Sequence, residues 1–241
     1  MQIRNATALV TGANRGIGLA LVKALLNAGA RRIYATARDV KTLEGVVALD
    51  RARVKPFQLD VTNKELISAA AAAAPDVNLL INNAGVLEFG SFLDVPTDKV
   101  ARQFETNFYG KLNMALAFAP VIEANGGGAI VNLLTLVALA SMPGLSTYNA
   151  SKAAAWSMTQ SLRATLASKK IQVIGVFPGA VDTDMLAGVE MPKTSPMDIA
   201  SAVVSGVESG MEDIFPDPMS TQLYAAWKQD HKAVEKQFAT M

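Results

Sequence analysis

The sequence has no cysteine and a single histidine, His231, in 241 residues. The first absence excludes disulfides and thiolate chemistry. The second leaves too few ligands for a zinc site, so no metal is expected, and His231 reads as a solvated helix residue. An excess of one sign of charge is also missing. Lys and Arg number 22 against 21 Asp and Glu, a net charge of +1, with no long basic block. That argues against a nucleic-acid partner or a membrane surface. No apolar run reaches the roughly 20 residues that span a bilayer. A strand pattern begins almost at the first residue, where a signal peptide would lie, so the expected location is cytoplasmic. No linker rich in Pro, Gly or Ser and no internal repeat interrupts the chain. One domain over residues 1–241 is therefore expected, large enough to bury a substantial core.

What is present is an alternation of strand and helix signals. Strands are expected at Ala6–Val10, Arg32–Ala37, Val54–Gln58, Leu79–Asn82, Ala129–Leu134, Gln172–Phe177 and about Asp213–Phe215. Helices lie between them. One is expected from Thr62, where Thr62-x-x-Glu65 makes a capping box. Another starts at Ser195, with Pro196 at the first helical position and Asp198 in the first turn. Continuously apolar strands alternating with helices imply an α/β fold, a doubly wound parallel sheet with helices on both faces. Residues 220–241 carry Tyr224, Trp227 and Phe238 at roughly helical spacing and read as a helical tail. Such a tail could cover a site, dock a partner subunit or close the sheet edge.

Two local patterns carry chemistry. The first strand runs into Thr11-Gly12-Ala13-Asn14-Arg15-Gly16-Ile17-Gly18, and a helical pattern follows up to Gly29. Strand, glycine turn and helix is the context of a Rossmann dinucleotide site. Glycines let the backbone approach a pyrophosphate, and the helix N-terminus offers free N–H groups and a positive dipole end. The second pattern is Tyr148 and Lys152, one helical turn apart and so on one face. An ammonium about 4 Å from a phenol, at an effective dielectric of about 20, favours phenolate by about 4 kcal/mol, roughly three pKa units. The expectation is a tyrosine made acidic enough to move protons near neutral pH.

Taken with four further motifs in order, these patterns resemble the short-chain dehydrogenase/reductase family in its classical subgroup, from about Ala6 to about Phe215. Leu59-Asp60-Val61 is similar to the strand end that contacts adenine in that family. Asn82-Asn83-Ala84-Gly85 is similar to its stabilising turn after the fourth strand, and Asn107 to its mid-helix catalytic asparagine. Tyr148 and Lys152 match its catalytic pair. Pro178-Gly179-Ala180-Val181-Asp182-Thr183 is similar to the segment that wraps the nicotinamide. The resemblance implies hydride transfer between a nicotinamide and a carbonyl or alcohol. It implies cofactor contacts from Gly12, Asn14, Arg15, Gly16, Ile17 and Gly18, from Asp60 and Val61, and from Asn83, Ala84 and Gly85. Further contacts would come from Tyr148, Lys152, Pro178, Gly179, Val181 and Thr183. It also implies a homodimer or homotetramer built through the helices bearing Asn107 and Tyr148. In that scheme Tyr148 donates the proton, Lys152 lowers its pKa and holds the ribose, and Asn107 holds a water that links Lys152 to solvent.

Two positions refine the expectation. Where an acid would accept a bond from the ribose 2′-hydroxyl of NAD, this chain has Ala37, followed by Arg38. Arg38 and Arg15 are expected to hold a 2′-phosphate, so NADP(H) is preferred over NAD(H). Asp39 stands one place off the acid position. Thirteen residues before Tyr148, where most of the family has serine, this chain has Thr135. Its hydroxyl can donate to a carbonyl oxygen, with a methyl group added to the site. Ser141 or Ser146 could supply that hydroxyl instead, or the site could be impaired. Leu87, Leu136, Val137, Met142, Leu145 and Met185 are candidates to face a hydrophobic ketone or aldehyde, and equally candidates for core or interface packing. A non-enzymatic NADP(H) sensor and imine reduction remain open alternatives.

Overall fold

The computed structural model describes residues 1–241. Seven strands form one parallel sheet: β1 Thr7–Val10, β2 Arg32–Ala37, β3 Val54–Gln58, β4 Leu79–Asn82, β5 Gly128–Leu133, β6 Ile171–Val176 and β7 Asp213–Ile214. Their order across the sheet is β3-β2-β1-β4-β5-β6-β7. The chain therefore winds outward from β1 one way, crosses back, and winds outward from β4 the other way. This is the Rossmann-type pattern, and its switch point lies between β1 and β4. Each expected strand is present, with bounds moved by one residue at most at either end.

Seven α-helices lie between the strands, α1 Gly16–Asn27, α2 Glu44–Val47, α3 Lys64–Ala73, α4 Thr97–Phe104, α5 Gly110–Ala124, α6 Ser146–Leu166 and α7 Pro196–Glu208, and two follow β7, α8 Pro218–Gln229 and α9 His231–Phe238. The period of two along each strand divides the core. Ala8, Val10, Leu79, Ile81, Ala129 and Val131 face α1 and α7. Leu9, Leu80 and Ile130 face the opposite way, toward α3, α5 and the end of α6. Because both faces are covered, the central strands are buried and largely apolar, while the edge strand β3 is only partly buried and carries Lys55 and Gln58. No helix is long and apolar enough to cross a membrane.

Local chemistry moved two expected boundaries. Helix α3 is capped by Asn63, whose side chain accepts from the Leu66 N–H at 2.9 Å. The expected Thr62–Glu65 capping box does not form. Asp60 Oδ1 accepts from both the N–H and the hydroxyl of Thr62, so Thr62 belongs to the turn before the helix. The tail is two helices rather than one. Asp217 caps α8 in a reciprocal box with Ser220, and Asp230 then breaks the chain and caps α9. Ser195 caps α7 as expected, with Pro196 at the first position. Helices α4 and α5 run on through a π-helical turn, Glu105–Tyr109, which the sequence did not signal.

Candidate active site

All the candidate motifs except Asn107 and the Tyr148–Lys152 pair lie at the carboxyl ends of strands. After β1, Gly12 and Gly16 take φ of +64° and +52°, the left-handed region that favours glycine. Gly18 answers a different need: a Cβ there would lie 2.0 Å from the Gly12 carbonyl oxygen and 2.7 Å from Asn83 Nδ2. Thr11 fastens this turn to the one after β4, its Oγ1 accepting from the N–H groups of Asn83 and Ala84, each at 2.9 Å. Asn83 completes the clamp, donating to the carbonyls of Thr11 and Gly12. No side chain caps α1, no acid occupies its first turn, and the N–H groups of Gly16, Ile17 and Gly18 have no acceptor in the protein. Three free donors at a helix N-terminus, over a turn with no side-chain bulk, fit the pyrophosphate of a dinucleotide. Thr183 borders this groove, with its Cγ2 3.2 Å from where a Gly16 Cβ would stand.

At the ends of β2 and β3 an open pocket of about 580 Å³ is lined by Arg38, Gln58, Asp60, Thr62 and Lys64, among others. Ala37 is buried at the strand end and Arg38 stands exposed beside the pocket. Arg15 does not line it. Its guanidinium lies 2.8 Å from Asp184 instead, a pair exposed on both sides and so held by less than about 1 kcal/mol. Lys64 supplies the second cation in the pocket, a residue the sequence reading passed over as part of a helix start.

Helix α6 places Tyr148 and Lys152 on its buried face. Lys152 Nζ sits 5.5 Å from the centre of the Tyr148 ring and donates to the Leu133 carbonyl at 2.9 Å. Asn107, in the π turn, donates to the Val86 carbonyl at 2.9 Å and to Ser151 Oγ at 3.0 Å, while its Oδ1 accepts from the Val86 N–H. Both amide hydrogens are used, and the side chain ties the segment after β4 to α6. Thr135 is buried, and its hydroxyl donates to the Pro178 carbonyl at 3.4 Å.

A family model described as short chain dehydrogenase matches residues 6–193. The chain belongs to the short-chain dehydrogenase/reductase family. A short chain dehydrogenase from Burkholderia cenocepacia J2315, solved in complex with NADP, is similar with a TM-score of 0.93 and 38% identity, over 99% of both chains. D-erythrulose reductase of Gallus gallus is 35% identical over 186 residues, 77% of this chain and 75% of that protein. The "Probable oxidoreductase EphD" of Mycobacterium tuberculosis is 33% identical over 196 residues, and the chain spans about a third of its length, 33%.

As a short-chain dehydrogenase/reductase, the chain departs from the sequence expectation in its electrostatics. Burial pushes the Tyr148 phenol up from its usual value, against the hydrogen bond with Thr135, which pulls it down. Burial also lowers Lys152, to about 8. Desolvation thus outweighs the expected acidification of the tyrosine by the lysine, because Lys152 is turned to a backbone carbonyl and both groups are shut away from water. A second lysine escaped the sequence reading altogether. Lys111, one turn beyond Asn107, is fully buried and donates to the carbonyls of Asn82 at 2.8 Å and Ala84 at 3.1 Å. Burial first, and the Lys152 charge second, hold it well below the usual lysine range. Its signal was a lone charge in the apolar run Gly110–Ile122.

Of the expected substrate residues, Leu87, Leu136, Val137 and Met142 do pack in one cluster with Tyr148. Leu145 and Met185 stand outside it: Leu145 precedes α6 and bridges to Gly90, and Met185 lies exposed on the turn Asp184–Leu186. Thr135→Val is expected to lower kcat by about 10²–10³-fold, the scale for losing one donor to a developing oxyanion, with Thr135→Ser near the wild type. A fully active Thr135→Val enzyme in steady-state assays would remove Thr135 from the chemistry.

Proposed function

We propose that this chain is an NADP(H)-dependent carbonyl reductase acting on uncharged, hydrophobic ketones or aldehydes. The carrying observation is the buried Tyr148 beside Lys152 and Thr135, opening onto an apolar cluster at the carboxyl edge of a dinucleotide-binding sheet. A bound nicotinamide supplies or accepts the hydride. The glycine turn and the uncapped start of α1 hold its pyrophosphate. Asp60, Val61, Ala84, Gly85, Pro178 and Val181 border its path along the strand ends. Tyr148, kept protonated by burial, hydrogen-bonds the carbonyl oxygen and donates its proton as the alcohol forms. Thr135 supplies the second hydrogen bond to that oxygen. Lys152 provides positive charge behind the tyrosine and a hold on the ribose. The protein mainly aligns and polarises.

The preference for NADP(H) is supported by Arg38 and Lys64 at the pocket after β2, by Ala37 where an acid would stand, and by the NADP complex of the Burkholderia cenocepacia relative. Arg38→Ala is expected to weaken NADPH binding at least tenfold while changing NADH binding little, since a 2′-phosphate contact is worth more than 1.4 kcal/mol when charge-assisted. Fluorescence titration with both cofactors checks this, and equal losses would reverse the assignment. The activity itself is tested by NADPH oxidation at 340 nm against ketones and aldehydes. Tight NADPH binding with no turnover across that panel would sink the reductase reading. The same reading carries a single catalytic unit over residues 1–241, a cytoplasmic location, and a homodimer or homotetramer. The assembly is supported by Tyr109 and Leu116, which are exposed along the π turn and α5.

A further inference from the structure

The tail does more than end the chain. Helix α9 is exposed along its length except for Val234 and Phe238, which are 2% and 6% exposed. Four residues apart, they share one face. That face packs into the cluster formed by Leu136, Val137, Ala140 and Tyr148. These are the positions that flank the reacting tyrosine in the proposed reduction. The root of the tail is equally anchored there. Asp217, buried, accepts from the Gly179 N–H at 2.8 Å, so α8 starts from the segment that borders the nicotinamide. By contrast, the loop after β6 leaves Met185 and Met191 exposed, each at 42%. The C-terminal helix, and not that loop, therefore contributes buried side chains to the Tyr148 cluster.

We infer that Val234 and Phe238 are specificity-determining residues: they form the outer wall of the carbonyl pocket and limit it to compact, uncharged, apolar ketones. The inference rests on the carbonyl-reductase reading for its substrate class. The wall itself rests on the packing alone. Apart from Lys152, whose Nζ lies 5.5 Å from the Tyr148 ring and donates to the Leu133 carbonyl, the side chains packed with Tyr148 here form an aliphatic, aromatic and thioether cluster. A charged substrate group would enter it unpaired. Phe238 presents the largest removable volume, and truncating it opens space directly over the cluster.

The test compares wild type, Phe238→Ala, Phe238→Ala with Val234→Ala, and a chain stopped after Gln229. The first readout is kcat/KM for benzophenone relative to cyclohexanone, with NADPH. The ratio is expected to rise at least tenfold in Phe238→Ala and further in the other two. The second readout needs no turnover: hydroxyl-radical footprinting of Tyr148 in the protein without cofactor. Labelling is expected to rise at least fivefold in each variant. Labelling unchanged in folded variants overturns the wall, and a higher label with an unchanged ratio overturns its role in specificity. If wild type reduces neither ketone, the reductase reading fails by itself, and the footprint alone decides whether the tail covers Tyr148. Should Phe238→Ala misfold, the stopped chain, which removes α9 as a unit, carries both readouts.

Discussion

Replacing Tyr148 with phenylalanine is expected to lower kcat for ketone reduction by about 10²–10⁴-fold, the range for losing a positioned general acid. NADPH affinity should stay within a few-fold, because the ring and its packing remain. The measurement is steady-state turnover beside a fluorescence titration of NADPH. Loss of both together would indicate collapse of the site and not loss of a proton donor. A pH profile refines the prediction. The phenol is raised, so it keeps its proton across the working range. Lys152, lowered to about 8, is charged below that pH and neutral above it. The free-enzyme profile should therefore show reductive kcat/KM falling as pH rises through about 8. Lys152→Arg, which stays charged, should move that limb out of range even if overall activity is poor. A profile flat to pH 10 in the wild type would mean that the Lys152 charge is not required.

The second large effect is expected at Gly18. An alanine there would put its methyl 2.0 Å from the Gly12 carbonyl oxygen. The obstacle is backbone, so no side-chain rotation relieves it. Either the first turn of α1 or the glycine turn must move, and overpacking of this kind costs about 1–3 kcal/mol or more. The same movement would misaim the three N–H groups that suit a pyrophosphate. Gly18→Ala is thus expected to lower Tm by several degrees and to weaken NADPH binding at least tenfold. Gly45→Ala is the control, since nothing lies within 4 Å of the added methyl and its φ is not in the left-handed region. Calorimetry and cofactor titration of both variants check this. If Gly18→Ala bound NADPH as the wild type does, the glycine turn would not be the pyrophosphate site.

The fold was legible because its signals are local. The central strands are short, largely apolar runs buried on both faces, and each crossover is long enough to be read as a helix. The glycine turn and the spacing of Tyr148 and Lys152 were legible for the same reason. Burial was what the sequence concealed. The direction of the Tyr148 shift depends on how far desolvation outweighs a neighbouring charge, and that follows from packing between segments far apart in the chain. Lys111 was hidden because a lysine in an apolar helix looks like a surface residue until both its acceptors, the carbonyls of Asn82 and Ala84, are placed. The π turn at Asn107 has no sequence signature of its own. Asn63 displaced Thr62 as the α3 cap because Asp60 had already engaged the threonine.

The clamp between Thr11 and Asn83 also has a bearing on synthesis. It draws only on β1, the glycine turn and the turn after β4, so the clamped glycine turn has its parts once about residue 85 has been translated, well before Thr183, which borders the same groove. Phe238, which packs over the Tyr148 cluster, follows some 150 residues later. At about 5–20 residues per second, the roughly 90 residues between Tyr148 and Phe238 would leave the nascent chain with an uncovered tyrosine for on the order of ten seconds before its last helix could close over it.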